Sequence, residues 1–182
     1  MLKKMRGFTL IELLIVIAII GILAALLIPN ALEAIQKAKQ KSAMKEIVTI
    51  ATASVDYITD HGTWQALTSP GNLTAGCPYQ LALSSFYIKV MPVNDPWGFP
   101  YKVYFGADVK TLITDAADLA EDDFAIASAG RKGLLEDTGT YTTSNPEAGR
   151  YNVSSMADFE RDLINWNGSW IVAPTSTFMS GT

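Results

Sequence analysis

From Leu13 to Ile28 no polar side chain interrupts the chain. Counted from Phe8, only Thr9 and Glu12 break an apolar run that lasts until Asn30. About 20 apolar residues suffice to cross a bilayer as a helix. Just before the run, Met1–Gly7 carries Lys3, Lys4 and Arg6 and no acid. Membrane segments keep their Lys/Arg-rich flank in the cytoplasm, so everything after Pro29 is expected to be exported.

The 182 residues carry a net charge of −4. Removing three of the 14 Lys and Arg with the leader leaves 11 against 18 Asp and Glu, a net −7. The rest of the chain is acidic and shows no basic face, so nucleic acid is not an expected partner. Cys77 is the single cysteine, which excludes an intrachain disulfide. His61 is the single histidine, which leaves little material for a zinc site.

Three readings compete for the apolar run. A cleaved secretory signal has a basic start, an apolar core and small residues at its end, and Ala24-Ala25 supply those. A plain signal anchor accounts for the run but not for Glu12. A carboxylate inside a membrane segment costs about 2.5–3.5 kcal/mol even on the lenient insertion scales, and such a residue usually has a function and a partner. In the third reading the chain is cut after Gly7. Phe8 then gains a free α-amine about one helical turn from Glu12, and the two charges neutralise each other within a subunit or between staggered neighbours. The simpler account of Glu12 is a side chain snorkelling to the interface.

The string Gly7-Phe8-Thr9-Leu10-Ile11-Glu12, with a basic leader before it and an apolar run after it, resembles the prepilin signature of type IV pilins and pseudopilins. The resemblance implies a prepilin peptidase that cuts between Gly7 and Phe8 and methylates the new N-terminus. It also implies an inner-membrane precursor, an assembly platform with an ATPase, and a homopolymer held together through Phe8 and Glu12. Pro29 removes a backbone donor and crowds the preceding turn, and Gly21 weakens the helix before it. In the family this Gly/Pro-bounded stretch often unwinds when subunits pack; a simple kink where the helix leaves the membrane is the other reading.

From Ala31 to Ile58 there is no Gly or Pro, and the segment is rich in Ala, Lys, Glu and Ile, as a helix requires. Ile47, Ile50, Ala51, Ser54, Val55 and Ile58 recur at spacings of three and four, which predicts one narrow apolar face. Gly62 is the expected stop. A helix over residues 8–60 would run about 80 Å at 1.5 Å per residue, too long to bury itself within a domain of this size. The expected organisation is therefore a cleaved leader (1–7), a long helix (8–60, with 8–29 as membrane anchor and filament core) and a head (61–182). The fold class is α+β, a long helix with a small antiparallel sheet, in a lollipop arrangement. Strands are expected at Tyr101–Phe105, Thr111–Thr114, Phe124–Ser128 and Ser169–Ala173, and a short helix around Met156–Leu163. Residues 68–78 are read as a turn-rich loop.

The head adds to the resemblance. Tyr57–Gly62, Tyr87–Tyr101 with its Asp95-Pro96-Trp97-Gly98 turn, and Phe124–Gly130 are similar to segments of the major pseudopilin of type II secretion. Those proteins bind calcium through an aspartate in a Gly-x-Asp-Gly context. Here the stretch is Gly130-Arg131-Lys132-Gly133, and a lysine cannot ligate calcium. Asp162–Trp166 still resembles a later piece of that loop, which leaves Asp137 and Asp162 as weak calcium candidates. The acidic stretch Asp115, Asp118, Glu121, Asp122 and Asp123 matches no calcium loop and reads as a solvated loop.

An enzyme is not expected. Cys77 and His61 have no evident orienting partner, and Gly130–Gly133 lacks the spacing of a phosphate loop. Trp64, Trp97, Trp166 and Trp170 read as loop anchors rather than a sugar-binding surface. The sequence leans to an extracellular type IV pilus subunit serving adhesion, motility or DNA uptake. The major subunit of a periplasmic pseudopilus is the alternative, and a signal-anchored exported binding domain the second. Lys132 and a tail longer than in the pseudopilins favour the pilus. The Asp95-Pro96-Trp97-Gly98 turn and the missing disulfide favour the pseudopilus.

Overall fold

The computed structural model describes residues 8–64, 67–84, 86–116, 119–142 and 144–175. The chain divides into two compact units, Met1–Gln36 and Lys37–Thr182. Helix α1, Leu10–His61, contributes to both. It begins at a capping box: Glu12 accepts from the Thr9 amide at 2.9 Å, and Thr9 Oγ1 accepts from the Glu12 amide at 3.3 Å. It ends at Gly62, whose φ of +79° lets the amide turn back to the Ile58 carbonyl at 2.7 Å.

Among the described residues nothing covers the apolar run of the first unit. The large side chains from Leu13 to Ile28 are 45% to 68% exposed. The helix runs continuously through Pro29.

The second unit packs α1 against a six-stranded sheet. Its strands are β1 Gly71–Asn72, β2 Lys102–Phe105, β3 Phe124–Ser128, β4 Arg150–Tyr151, β5 Leu163–Trp166 and β6 Ser169–Pro174, and between β1 and β2 lies helix α2, Pro78–Leu83. The strand order is β1-β2-β3-β5-β6-β4. Every pair is antiparallel except β4 with β6, so the sheet is mixed at its last edge rather than wholly antiparallel.

Each face of the sheet carries a core. Phe124, Ile126, Val103, Phe105 and Leu163 meet Ala43, Ile47, Ile50 and Ala53 of α1. Ala125, Ala127, Ile164 and Val172 meet Val109, Leu112, Ile113 and Phe159 on the other face. Because both faces are covered, β3 is buried at all five positions.

The helical face is broader than its sequence pattern. Gln40, Ala43, Ala53 and Tyr57 join Ile47, Ile50, Ala51 and Ser54 inside, whereas Val55 remains 42% exposed and is corrected as a core position. Thr111–Thr114 is not a strand. Gly106–Thr111 winds as a 3-10 helix and Leu112 and Ile113 follow it. Val109, Leu112 and Ile113 stand three and four apart, a helical spacing that lets one turn cap the second core. The expected tail helix is the 3-10 segment Met156–Glu160, and Leu163 belongs to β5. The expected loop over residues 68–78 in fact carries strand β1 at Gly71–Asn72, and its last residue, Pro78, opens helix α2. Cys77 caps it by accepting from the Gln80 amide at 3.4 Å, Pro78 takes its first turn, and Tyr79 and Leu83 are buried.

Candidate assembly site and the acidic corner

Of the residues expected to act in processing, Gly7 lies outside the described residues, and Phe8 is 79% exposed. Glu12 sits one turn on, its Oε2 held by the Thr9 hydroxyl at 2.7 Å as well as by the Thr9 amide. The carboxylate therefore already acts as a helix cap, a role that its sequence reading as a charge partner did not include. No side chain or remote backbone lies within 4 Å of the position a Gly21 Cβ would take, so nothing in the isolated chain demands glycine there. Gly21 and Pro29 fall in the uncovered stretch, on the one helix long and apolar enough to cross a membrane among the described residues.

The weak calcium candidates come together. Asp137 accepts from Arg161 Nε at 3.2 Å, Arg161 Nη2 at 3.3 Å and the Asp162 amide at 3.1 Å. Asp162 is buried, and its Oδ2 accepts from the Glu136 and Asp137 amides at 2.7 Å each. Burial pushes the Asp162 carboxyl up to about 6. The amide bonds oppose the shift and the neighbouring acids add to it. Lys132, at the departure from the family pattern, pairs with Glu136. Among the described residues no three His, Cys, Asp or Glu side chains are grouped to share a metal ion. With both Asp137 oxygens turned to a guanidinium, the residues present do not fit calcium.

Sequence reasoning missed Tyr151 and Arg161. The Arg161 guanidinium carbon lies 4.2 Å from the Tyr151 ring centroid, and Tyr151 Oη accepts from Gln40 Nε2 of α1 at 3.2 Å. No local signal announces this chain of contacts, because its members are far apart in sequence.

In the other acidic stretch, Asp123 accepts from the Ala120 amide at 2.8 Å and from Asn167 Nδ2, so it ties turns together; Asp118 lies outside the described residues. His61 stacks on Tyr57 while Cys77 caps α2, which gives each a structural role. Trp64 stacks on Phe105 at 4.2 Å, and Trp97 and Trp170 pack on the same core. Trp166 sits against the opposite core, so the four tryptophans do not share one face.

A methylation-type N-terminus, an uncovered apolar helix and an α+β second unit together define a pilin-like structural subunit. Residues 2–28 match the family described as the prokaryotic N-terminal methylation motif. The type II secretion system core protein G of Vibrio cholerae is 34% identical over 166 residues, covering 85% of this chain and 99% of that protein. Its counterpart from Aeromonas hydrophila is 31% identical over 144 residues, covering 76% and 94%. The chain belongs to the type II secretion system core protein G family, the major pseudopilins. No solved structure matches the chain.

Proposed function

We propose that this chain is the repeating subunit of a secretion pseudopilus. The precursor sits in the inner membrane with Met1–Gly7 in the cytoplasm. A prepilin peptidase cuts it between Gly7 and Phe8, and an ATP-driven platform polymerises it into the periplasm. The observation that carries this reading is a similarity to core protein G that runs through helix and sheet alike, covering 99% of the Vibrio cholerae relative.

Extraction trades lipid contacts of Leu13–Ile28 for contacts with other copies. Both surroundings are apolar, so the trade is close to neutral and the direction must come from the machine. In the filament, Glu12 would meet the methylated amine of a neighbouring Phe8 and fix the axial register. The role is structural and includes no catalysis.

A surface pilus rests on Lys132 and on the long tail. The tail, however, supplies β5 and β6, which extend the same sheet as β2 and β3, so its length does not separate the two filaments. The test is the mass of the native protein together with a gene deletion. Expected are an N-terminal methylated Phe8 and loss of protein secretion with the cell surface unchanged. A start at Met1 or after Ala25 overturns the processing. Loss of sheared surface filaments with secretion intact overturns the pseudopilus.

A further inference from the structure

The 130–137 loop meets residues 159–162 at a corner that binds unusually many charges. Four acids, Glu136, Asp137, Glu160 and Asp162, face three bases, Arg131, Lys132 and Arg161. Arg131 reaches Glu160 at 2.8 Å, Lys132 reaches Glu136, and Arg161 spans both oxygens of Asp137. The backbone is drawn in just as closely. A Cβ on Gly130 would lie 2.5 Å from the Arg161 carbonyl and 2.9 Å from that of Phe159.

We infer that the protein's own cations hold this corner in the way a bound divalent ion would, and that the fold of this chain is therefore independent of calcium. Calcium requires six to eight oxygens within about 2.3–2.6 Å. Here the Asp137 oxygens point to a guanidinium and Asp162 Oδ2 to two amides, leaving Asp162 Oδ1 as the one buried carboxylate oxygen without a partner among the described residues. An incoming ion would have to expel Arg161. That side chain is fixed from behind by the Tyr151 ring, and Tyr151 is itself held by Gln40 of α1. Arg161 thus links the corner to the helix, which an ion bound to the loop alone would not do. The inference concerns this corner only and stands whichever filament the subunit enters.

The test uses the full chain in detergent micelles, with tryptophan fluorescence as the readout, since Trp64, Trp97, Trp166 and Trp170 all lie in the second unit. Thermal midpoints in EGTA and in millimolar calcium chloride are expected to coincide, and calorimetric titration with calcium chloride to show no saturable heat. A folded-state ligand raises the midpoint as its concentration exceeds its dissociation constant. A midpoint that falls in EGTA and recovers with calcium overturns the inference. Arg161→Gln is expected to lower the midpoint by several degrees, and Arg161→Lys, which keeps the charge, by less. If Arg161→Gln fails to fold, Arg161→Lys alone carries the comparison. Arg161→Gln melting like the parent, or Arg161→Lys losing as much as Arg161→Gln, sinks the role given to the Arg161 charge.

Discussion

Ser128 Oγ donates to Asp95 Oδ2 at 2.7 Å in the interior, joining the last residue of β3 to the turn that precedes β2. The other oxygen of Asp95 accepts from the Trp97 and Phe99 amides at 3.0 and 2.9 Å. One buried carboxylate thus shapes the Asp95-Pro96-Trp97-Gly98 turn and pins it to the sheet.

Asp95→Ala is expected to destabilise the second unit by about 3 kcal/mol, because it leaves the buried Ser128 hydroxyl and two part-buried amides without their acceptor. Asp95→Asn keeps an oxygen for the two amides and presents Nδ2 to a serine hydroxyl that can accept, so its loss should be smaller. Chemical denaturation of both variants measures the order. Equal stability of Asp95→Ala and parent would remove the turn's anchoring role.

Stability should also depend on pH through Asp162. Its folded carboxyl is pushed up to about 6 against an ordinary 3.8, so between those values the folded chain holds the proton more tightly than the unfolded one. The contribution of this group therefore favours folding below about pH 4, fades as pH rises to about 6, and is lost above it. Asp162→Asn removes the titration and keeps an acceptor for the two amides. Melting curves from pH 4 to 7 should show the variant gaining on the parent as pH rises. Asp95, whose carboxyl is also raised by burial, is present in both proteins and cancels from the difference. A constant difference across that range would refute the assignment.

Much of this was legible. A sixteen-residue stretch without one polar group, and Gly62 at the end of the helical pattern, can be read without knowing what they touch. The strands at Lys102–Phe105, Phe124–Ser128 and Ser169–Pro174 follow alternation or β-branching. One clear signal was overlooked. Asn167-Gly168 takes positive φ at both residues and closes the β5–β6 hairpin between Trp166 and Ser169, the strongest short-range hairpin mark there is. Thr9-x-x-Glu12 likewise spells a capping box, and reading Glu12 for charge alone hid it. Thr111–Thr114 misled because β-branched composition outweighed the spacing of Val109, Leu112 and Ile113. The Gln40, Tyr151, Arg161 and Asp137 chain could not be read at all, since each partner is chosen by the fold rather than by its neighbours.

Glu12 can now be tested for two roles separately. Glu12→Gln keeps an oxygen for the Thr9 amide and hydroxyl and loses only the charge; Glu12→Ala loses both. Helix-cap loss costs about 1 kcal/mol at the start of α1, whereas an unpaired Phe8 ammonium in a dry filament core costs about 3–5 kcal/mol per subunit. If charge pairing governs assembly, both variants should fail to form filaments while the second unit melts normally. Filaments from Glu12→Gln but not from Glu12→Ala would show that capping is what assembly needs.

The uncovered side chains from Leu13 to Ile28 have one more consequence. A segment with no tertiary burial of its own has no intrinsic free energy of folding beyond its backbone hydrogen bonds. Its conformational equilibrium and its partitioning between lipid and polymer become a single thermodynamic quantity. Substitutions there are expected to leave calorimetric midpoints of the monomer untouched and to register as a changed critical concentration for polymerisation.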